Sequence, residues 1–214
     1  MSSTEPLRIA VPKGRLQEDV LGAFAAAGSR VPSPTDLRSR KLVFNIDDIE
    51  WIFVKDCDVP VYVEHGAADA GVAGLDQILE HDSTAYSLLD FPFGRCRMSL
   101  ITNAEAAPLG ERSTVATKYP RITRQFLDRR GSHAEIITLG GSVELAAVLK
   151  LTSHVIDLVQ SGETIRANGL VETEHVLDIA PRFIVGRDSY RKQMKRIREL
   201  SSRIEESMNA TLPS

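Results

Sequence analysis

The residues whose pattern points most directly to chemistry lie between positions 155 and 165, where an apolar, β-branched run ends in a polar turn containing Gly162. A helix-compatible segment follows, and its start would aim unpaired backbone N–H groups and the hydroxyls of Ser161 and Thr164 at one point. That point suits an anion, because a helix start carries partial positive charge and a glycine lets the backbone approach a phosphate closely. The turn from Ser161 through Glu163 to Thr164 is therefore predicted to bind a phosphate.

Asp157 precedes this turn and has a different predicted role. A carboxylate repels phosphate, but it can accept hydrogen bonds from sugar hydroxyls, so a 5′-phosphorylated ribose would satisfy both parts of the site. The alternative is a plain strand–turn–helix joint in which Ser161 and Thr164 only cap the helix. Taken by themselves these residues favour that alternative, because Ser-Gly turns are common.

Basic residues at other predicted strand ends could hold further phosphate charge. Lys13 and Arg15 lie between a predicted strand and a predicted helix, Arg40 precedes a predicted strand, and Lys55 closes one. Each of them is also typical of a solvated surface, so none identifies a site by itself.

Arg95 and Arg97 form a second basic pair, beside Gly94. In a strand, residues two positions apart lie on one face, so these two guanidinium groups could clamp one anion. The five histidines show neither metal-ligand spacing nor a partnered nucleophile, and no resident metal site is predicted.

Composition narrows the class of protein. The chain has 214 residues, of which 26% are charged and 43% hydrophobic, as expected for a globular protein of one or two domains. A net charge of -3 gives no reason to expect nucleic-acid binding. Two cysteines are too few for a disulfide scaffold, and the polar residues 1–6 lack the apolar segment of a signal peptide. No apolar run is long enough for a membrane span, so a cytoplasmic location is predicted.

Periodicity predicts alternating strands and helices, which favours an α/β architecture with mostly parallel sheets. This alternation stops at an aperiodic connection, residues 101–112, and then resumes, which indicates two lobes. A ligand site is expected in the cleft between the two lobes. The predicted lobes are 1–100 plus 181–214, and 101–180. The predicted strands are 7–11, 41–46, 49–54, 70–73, 95–102, 114–116, 134–139, 155–159, 171–179 and 182–185; the predicted helices are 16–28, 58–63, 76–81, 120–130, 142–149 and 188–208.

Several of these motifs together resemble the ATP phosphoribosyltransferase family, whose members catalyse the first step of histidine biosynthesis. The matching segments occur in family order at residues 12–16, 39–42, 58–69, 93–97, 116–120, 141–145 and 155–165. The length resembles the short form of the family, which lacks a C-terminal regulatory domain. The resemblance implies a two-lobed, periplasmic-binding-protein-like (type II) fold with phosphoribosyl pyrophosphate on the second lobe.

The resemblance also implies roles for individual residues. It assigns the sugar's 5′-phosphate to the turn at Ser161–Thr164 and the ribose to Asp157, with Glu144 as a further contact. It implies that Mg²⁺ arrives with the substrates and shares the stabilisation of pyrophosphate with the cations Lys13, Arg15, Arg40 and Lys55. Arg95 and Arg97, with Lys13, are the candidates for the ATP phosphates.

The family further implies a homodimeric core and a regulatory subunit resembling histidyl-tRNA synthetase. Some positions depart from the family pattern: Lys55 replaces a usual Arg, Lys150 a usual Gly, Leu75 a frequent Lys, Gly140 a frequent Asn, and Thr152 a small residue. These departures leave open an alternative function, a catalytically impaired cytosolic paralogue that acts as a ligand-binding or regulatory module.

Overall fold

The computed structural model describes residues 5–110 and 112–211, which form two compact units. Unit 1 comprises Met1–Gly94 and Ala180–Ser214, and unit 2 comprises Arg95–Ile179. The predicted boundary after residue 100 would cut strand β6 (Cys96–Asn103), which belongs to unit 2, so the boundary lies at Gly94. Residues 1–4 of the polar start, position 111 of the predicted connection and residues 212–214 lie outside the described residues.

Unit 1 contains a six-stranded mixed sheet. Its strands are β1 (Leu7–Pro12), β2 (Val43–Ile46), β3 (Ile49–Val54), β4 (Ala70–Gly74), β5 (Tyr86–Asp90) and β11 (Pro181–Val185), in the spatial order β2-β3-β1-β4-β11-β5. β1 is parallel to β3 and β4, whereas the β2–β3, β4–β11 and β11–β5 pairs are antiparallel. The predicted strands 41–46 and 49–54 pair as an antiparallel hairpin that turns at Asp47-Asp48, and Asp47 takes the left-handed conformation with φ 52°.

The helices of unit 1 are α1 (Gln17–Ala26), α2 (Pro34–Leu37), α3 (Val59–Glu64), α4 (Leu75–Glu80) and α8 (Arg187–Thr211), with a 3-10 turn at Asp56–Asp58. Trp51, the single tryptophan, is fully buried and meets the ring of Phe24 edge-on at 5.2 Å. Helix α8 buries Ile197, Leu200 and Ile204, whereas Met194 is exposed. Across the described residues, every helix is too short or too polar to serve as a membrane span.

Asp69 ties three elements of unit 1 together. Its carboxylate accepts hydrogen bonds from the backbone N–H of Arg8 at 3.0 Å, from the Arg8 guanidinium at 2.9 and 3.1 Å, and from the Ser189 hydroxyl at 2.7 Å. Burial disfavours the charged form, but the hydrogen bonds from Arg8 and Ser189 outweigh it, and the pKa of Asp69 is lowered. The starts of β1, β4 and α8 therefore meet at one ionised carboxylate.

Unit 2 contains a five-stranded mixed sheet. Besides β6 its strands are β7 (Thr114–Thr117), β8 (Glu135–Thr138), β9 (His154–Val159) and β10 (Leu170–Ile179), in the order β10-β6-β9-β7-β8. β7 is parallel to β8 and β9, and β6 is antiparallel to β9 and β10. The α/β class is confirmed, but both sheets are mixed rather than mostly parallel, because hairpins and returning strands add antiparallel neighbours to each parallel core.

The helices of unit 2 are α5 (Pro120–Arg129), α6 (Glu144–Val148) and α7 (Glu163–Ala167). Alanines of α6 and Ile165 of α7 form one buried cluster with Ile101 and Val155, so both helices cover the same face of the sheet. Strand alternation places Arg97 and Ser99 of β6, and Asp157 of β9, on this face too.

Three details differ from the sequence prediction. Strand β5 and helix α2 were not predicted, since β5 is an edge strand with exposed residues at both ends and α2 spans a single turn. The predicted connection at 101–112 begins inside β6, which continues to Asn103.

Lys150 ends α6 in a conformation that favours glycine. It has φ 58°, and the N–H groups of Lys150 and Leu151 donate to the carbonyls of Ala147 and Ala146 at 3.2 and 2.8 Å. This is the Schellman pattern, in which the residue after the cap is left-handed and usually Gly. A glycine would suit this position, and Lys150 adopts the left-handed conformation at a conformational cost.

We expect Lys150→Gly to stabilise the protein by about 0.5–1 kcal/mol, because glycine adopts the left-handed region without the penalty of a Cβ. Urea unfolding followed by circular dichroism measures the change. Lys150→Ala is the control, since it removes the charge and keeps the Cβ; stabilisation by both variants would contradict the backbone explanation.

Asp69→Asn should destabilise the protein by about 2–3 kcal/mol, because it removes the buried charge that Arg8 and the buried hydroxyl of Ser189 both bind. Since the folded pKa of Asp69 lies below its unfolded value of about 4, its contribution is complete above that value and is lost as the pH falls through the folded pKa.

Unfolding monitored by Trp51 fluorescence at several pH values tests this. The difference in the free energy of unfolding between wild type and Asp69→Asn should become smaller in acid. Asp19→Asn, an exposed substitution in the same unit, is the control. A difference that does not change down to strongly acidic pH would contradict the linkage.

Candidate functional site

The predicted ligand residues of unit 2 gather at one edge of its sheet. The carboxyl ends of the parallel strands β7, β8 and β9 open onto this edge, and β6 starts there because it is antiparallel to β9. The residues brought to this edge are Glu144, Asp157, Ser161, Gly162, Glu163, Thr164, Arg95 and Arg97. Ligands of open α/β sheets bind at the carboxyl ends of parallel strands, so this edge is the candidate site of unit 2.

The turn after β9 joins this strand to a helix start, as the sequence predicts. Gly162 is left-handed with φ 73°, and α7 starts at the next residue. A Cβ added at Gly162 would lie 3.0 Å from the guanidinium Nη1 of Arg166, which folds back over the turn. The left-handed backbone is what favours glycine at this position, and the turn carries a cation that the sequence analysis had not assigned.

Ser161 also has the capping role of the alternative interpretation. Its Oγ accepts a hydrogen bond at 3.3 Å from the N–H of Glu163, the first residue of α7, although the N-cap position itself is Gly162. A hydroxyl that accepts one bond can still donate its proton to a phosphate oxygen, and the two roles are compatible. Thr164 is exposed on the same turn.

Asp157 lies beside the turn on the helix-covered face. It is half-buried, its Oδ1 accepts the N–H of Leu158 at 2.8 Å, and it sits directly across from Ser99 of β6. Glu144, also half-buried, is the first residue of α6 and follows the loop that leaves β8. Two carboxylates thus accompany the phosphate-type turn at this edge.

Arg95 and Arg97 have different surroundings. Arg95 precedes β6 and is exposed. Arg97 donates from Nε and Nη2 to the two carboxylate oxygens of Glu172 on β10, at 2.5 and 2.6 Å, and its Nη1 lies 3.5 Å from the Gln160 carbonyl oxygen. The predicted clamp of two arginines on one anion would have to compete with Glu172 for Arg97.

Glu172 is the centre of this arrangement. The Arg97 guanidinium, aided by the Ser99 hydroxyl at 2.6 Å, lowers the pKa of Glu172 to about 2. The same pairing raises the pKa of Arg97. Both groups therefore remain charged throughout the neutral range.

The predicted basic residues of unit 1 gather at one edge of the other sheet. Lys13 follows β1 and Lys55 follows β3, and these strands are parallel neighbours that end together, with Pro12 opposite Val54. The N–H of Lys13 donates to the Val54 carbonyl at 2.8 Å. The two lysines are therefore adjacent at the carboxyl edge of this sheet.

Arg15 and Arg40 lie at the same edge. Arg15 follows Gly14, whose φ of 96° turns the chain towards α1, and Arg40 lies just before β2, which starts beside the end of β3. All four basic side chains are exposed. A group of exposed cations at strand ends is suited to a polyanion such as pyrophosphate.

Sequence reasoning missed three polar residues in and around these sites. Arg166 carried a usable signal, since it lies four residues after Gly162, on the same helical face. Glu172 carried none, because its pairing with Arg97 depends on the register between β6 and β10. Asp76, after β4, is buried and accepts a 2.7 Å hydrogen bond from Gln77.

Within the described residues, no group of three or more His, Cys, Asp or Glu is arranged to hold a metal ion. His154 is buried on β9 with its Nε2 3.1 Å from the Ala107 carbonyl oxygen, and burial lowers its pKa. This environment is that of a structural histidine in the sheet.

Comparison with known proteins identifies the family. The family model described as ATP phosphoribosyltransferase matches residues 55–206. The ATP phosphoribosyltransferase of Bacillus subtilis is 40% identical over 200 residues, covering 92% of this chain and 93% of the relative. That of Nitrosococcus oceani is 41% identical over 198 residues, covering 91% and 92%.

A solved structure supports the same family assignment. The ATP phosphoribosyl transferase (HisG:HisZ) complex from Thermotoga maritima contains a chain that matches with a TM-score of 0.85 at 30% identity, over 95% of this chain and 99% of that one. This match supports the type II periplasmic-binding-protein-like fold expected from the resemblance. The chain therefore belongs to the ATP phosphoribosyltransferase family.

Proposed function

We propose that this protein transfers the phosphoribosyl group of phosphoribosyl pyrophosphate to N1 of ATP, the first step of histidine biosynthesis. The products are N1-(5-phosphoribosyl)-ATP and pyrophosphate. The observation that carries the proposal is the turn after β9, with left-handed Gly162 between Ser161 and Glu163, in a chain of this family. The impaired-paralogue alternative gains no support from the site.

The sugar phosphate is proposed to bind at the edge of unit 2. Backbone N–H groups of the turn and the hydroxyls of Ser161 and Thr164 donate to the 5′-phosphate, and Arg166 adds positive charge beside it. Asp157 accepts hydrogen bonds from ribose hydroxyls, with Glu144 as a second contact. Arg95 and Arg97, together with Lys13, remain the proposed contacts of the ATP phosphates.

The chemistry requires no strong base. The lone pair of adenine N1 attacks the ribosyl C1, and the bond from C1 to the pyrophosphate oxygen breaks with its electrons leaving on pyrophosphate. Rate enhancement then comes from positioning and from stabilising the departing charge. Lys13, Arg15, Arg40 and Lys55 are proposed to do this together with the Mg²⁺ that the substrates bring.

The assembly is part of the proposal. The matched Thermotoga maritima chain comes from a HisG:HisZ complex, which supports a regulatory partner, proposed here to resemble histidyl-tRNA synthetase. Two catalytic chains are proposed to form the core dimer. We place the reaction in the cytoplasm, where its nucleotide substrates are made, and propose no nucleic-acid or membrane partner.

The direct test mixes the protein with ATP, phosphoribosyl pyrophosphate, Mg²⁺ and pyrophosphatase, and follows the ultraviolet absorbance of the phosphoribosylated adenine. A steady rise that requires both substrates is expected. The assay is repeated with the regulatory subunit. Binding of both substrates without product in either form would refute the enzymatic function.

Thr164→Ala should raise the KM for phosphoribosyl pyrophosphate about ten-fold with little change in kcat. The lost hydrogen bond is made in the ground state and the transition state alike, and a bond to a charged group contributes about 1.5–3 kcal/mol. Initial rates at varied sugar phosphate measure it, with Thr35→Ala, exposed on α2, as control. An unchanged KM would remove Thr164 from the site.

Lys55→Ala should instead lower kcat by roughly 10- to 100-fold, because leaving-group charge develops mainly in the transition state. Lys55→Arg should retain most of the rate, and Lys192→Ala, on the exposed side of α8, should have no effect. A normal kcat in Lys55→Ala, under conditions where chemistry limits turnover, would exclude the role.

A further inference from the structure

The guanidinium group of Arg166 lies back over the turn after β9. Its Nη1 is 3.0 Å, and its Cζ 3.9 Å, from the position that a Cβ on Gly162 would occupy. Gly162 precedes Arg166 by about one helical turn, and long side chains on a helix point towards its N-terminus. The guanidinium group therefore lies beside the start of α7, although the backbone of Arg166 belongs to its last turn.

This guanidinium group has no partner in the protein. Within residues 5–110 and 112–211, no carboxylate and no carbonyl oxygen pairs with it. Glu163 lies three residues earlier on the same helix, a spacing at which opposite charges can pair. Arg166 is turned to Gly162 instead, and its N–H donors are available to a ligand.

The location is unfavourable for a cation unless an anion is bound. The first N–H groups of a helix are unpaired and carry partial positive charge, and Gly162 at the N-cap has no side chain to accept them. A guanidinium group beside them adds like charge. An arginine without a ligand gains side-chain entropy by extending into water, so the folded-back position indicates a residue that meets an anion at the turn.

We propose that Arg166 is a specificity-determining residue, which makes the turn select a phosphate group with two negative charges. Its guanidinium group donates two parallel hydrogen bonds to phosphate oxygens, in addition to the bonds from the main-chain amides of the turn. The second charge of the phosphate interacts with Arg166, whereas a singly charged group is satisfied by the turn alone. This inference rests on the proposed function, in which the turn binds the 5′-phosphate of the sugar.

Arg166→Gln should weaken binding of phosphoribosyl pyrophosphate about ten-fold, the lower end of the contribution of hydrogen bonds to a charged group. The 5′-phosphate is remote from the bond that breaks at C1, so kcat should stay within about two-fold of wild type. Arg166→Lys keeps the charge but loses the pair of parallel donors, and an intermediate loss of about three-fold is expected. Arg124→Gln, exposed on α5 of the same unit, is the matched control and should bind like wild type.

The selection by charge is tested with two sugars of similar shape, ribose 5-phosphate and ribose 5-sulfate. Near neutral pH the phosphate ester carries almost two charges and the sulfate ester one, because a phosphate monoester has a second pKa of about 6. Each ester is titrated calorimetrically in competition with phosphoribosyl pyrophosphate and Mg²⁺, on folded full-length protein. The preference of wild type for the phosphate ester should fall about five-fold in Arg166→Gln, as expected for the loss of one partly exposed charge pair.

Three results overturn the inference. The first is equal competition by the two esters in wild type, including none by either. The second is an affinity for phosphoribosyl pyrophosphate, or a preference between the esters, that Arg166→Gln leaves unchanged. The third is a kcat lowered about ten-fold or more, since Arg166 would then act on the departing pyrophosphate.

Failure of the proposed function has a different signature. A wild-type protein that does not bind phosphoribosyl pyrophosphate refutes the proposed function, whereas binding that Arg166→Gln does not weaken refutes only the role of Arg166. Circular dichroism first establishes that each variant is folded. If Arg166→Gln does not fold, Arg166→Lys decides, and wild-type affinity in that variant overturns the inference.

Discussion

Both candidate sites depend on parallel strands that end at the same level. β1 and β3 in unit 1, and β7, β8 and β9 in unit 2, pair in register, so the loops that follow them open onto one edge of each sheet. The antiparallel neighbours β2 and β6 begin at these same edges. Residues far apart in sequence are thereby brought together, cations in unit 1 and a phosphate-type turn with carboxylates in unit 2.

This register explains how far the sequence could predict the structure. The hairpin at Asp47-Asp48, helix α5 and the turn around Gly162 depend on local chemistry, and local patterns predicted them. Strand β5 has no such pattern, because an edge strand buries few side chains and is stabilised by its pairing with β11. The antiparallel returns that make the sheets mixed are likewise set by tertiary pairing rather than by local sequence.

The same distinction holds within the site. The turn could be predicted from its residue types, because a glycine and hydroxyl residues just before a helix start favour anion binding in any sequence. The surroundings of Arg97 were not, because Glu172 lies on another strand and β10 carries two register shifts against β6. Lys150 is an intermediate case: the glycine that the resemblance implies at this position indicated a backbone requirement, and φ 58° at the end of α6 shows what that requirement is.

The central claim is that main-chain amides after β9 hold the terminal phosphate of an activated sugar. A crystal structure of the protein with phosphoribosyl pyrophosphate tests it most directly. The account predicts the 5′-phosphate within hydrogen-bond distance of the turn at Ser161–Thr164, with ribose hydroxyls on Asp157. A sugar phosphate bound elsewhere, with this turn facing solvent, would contradict it.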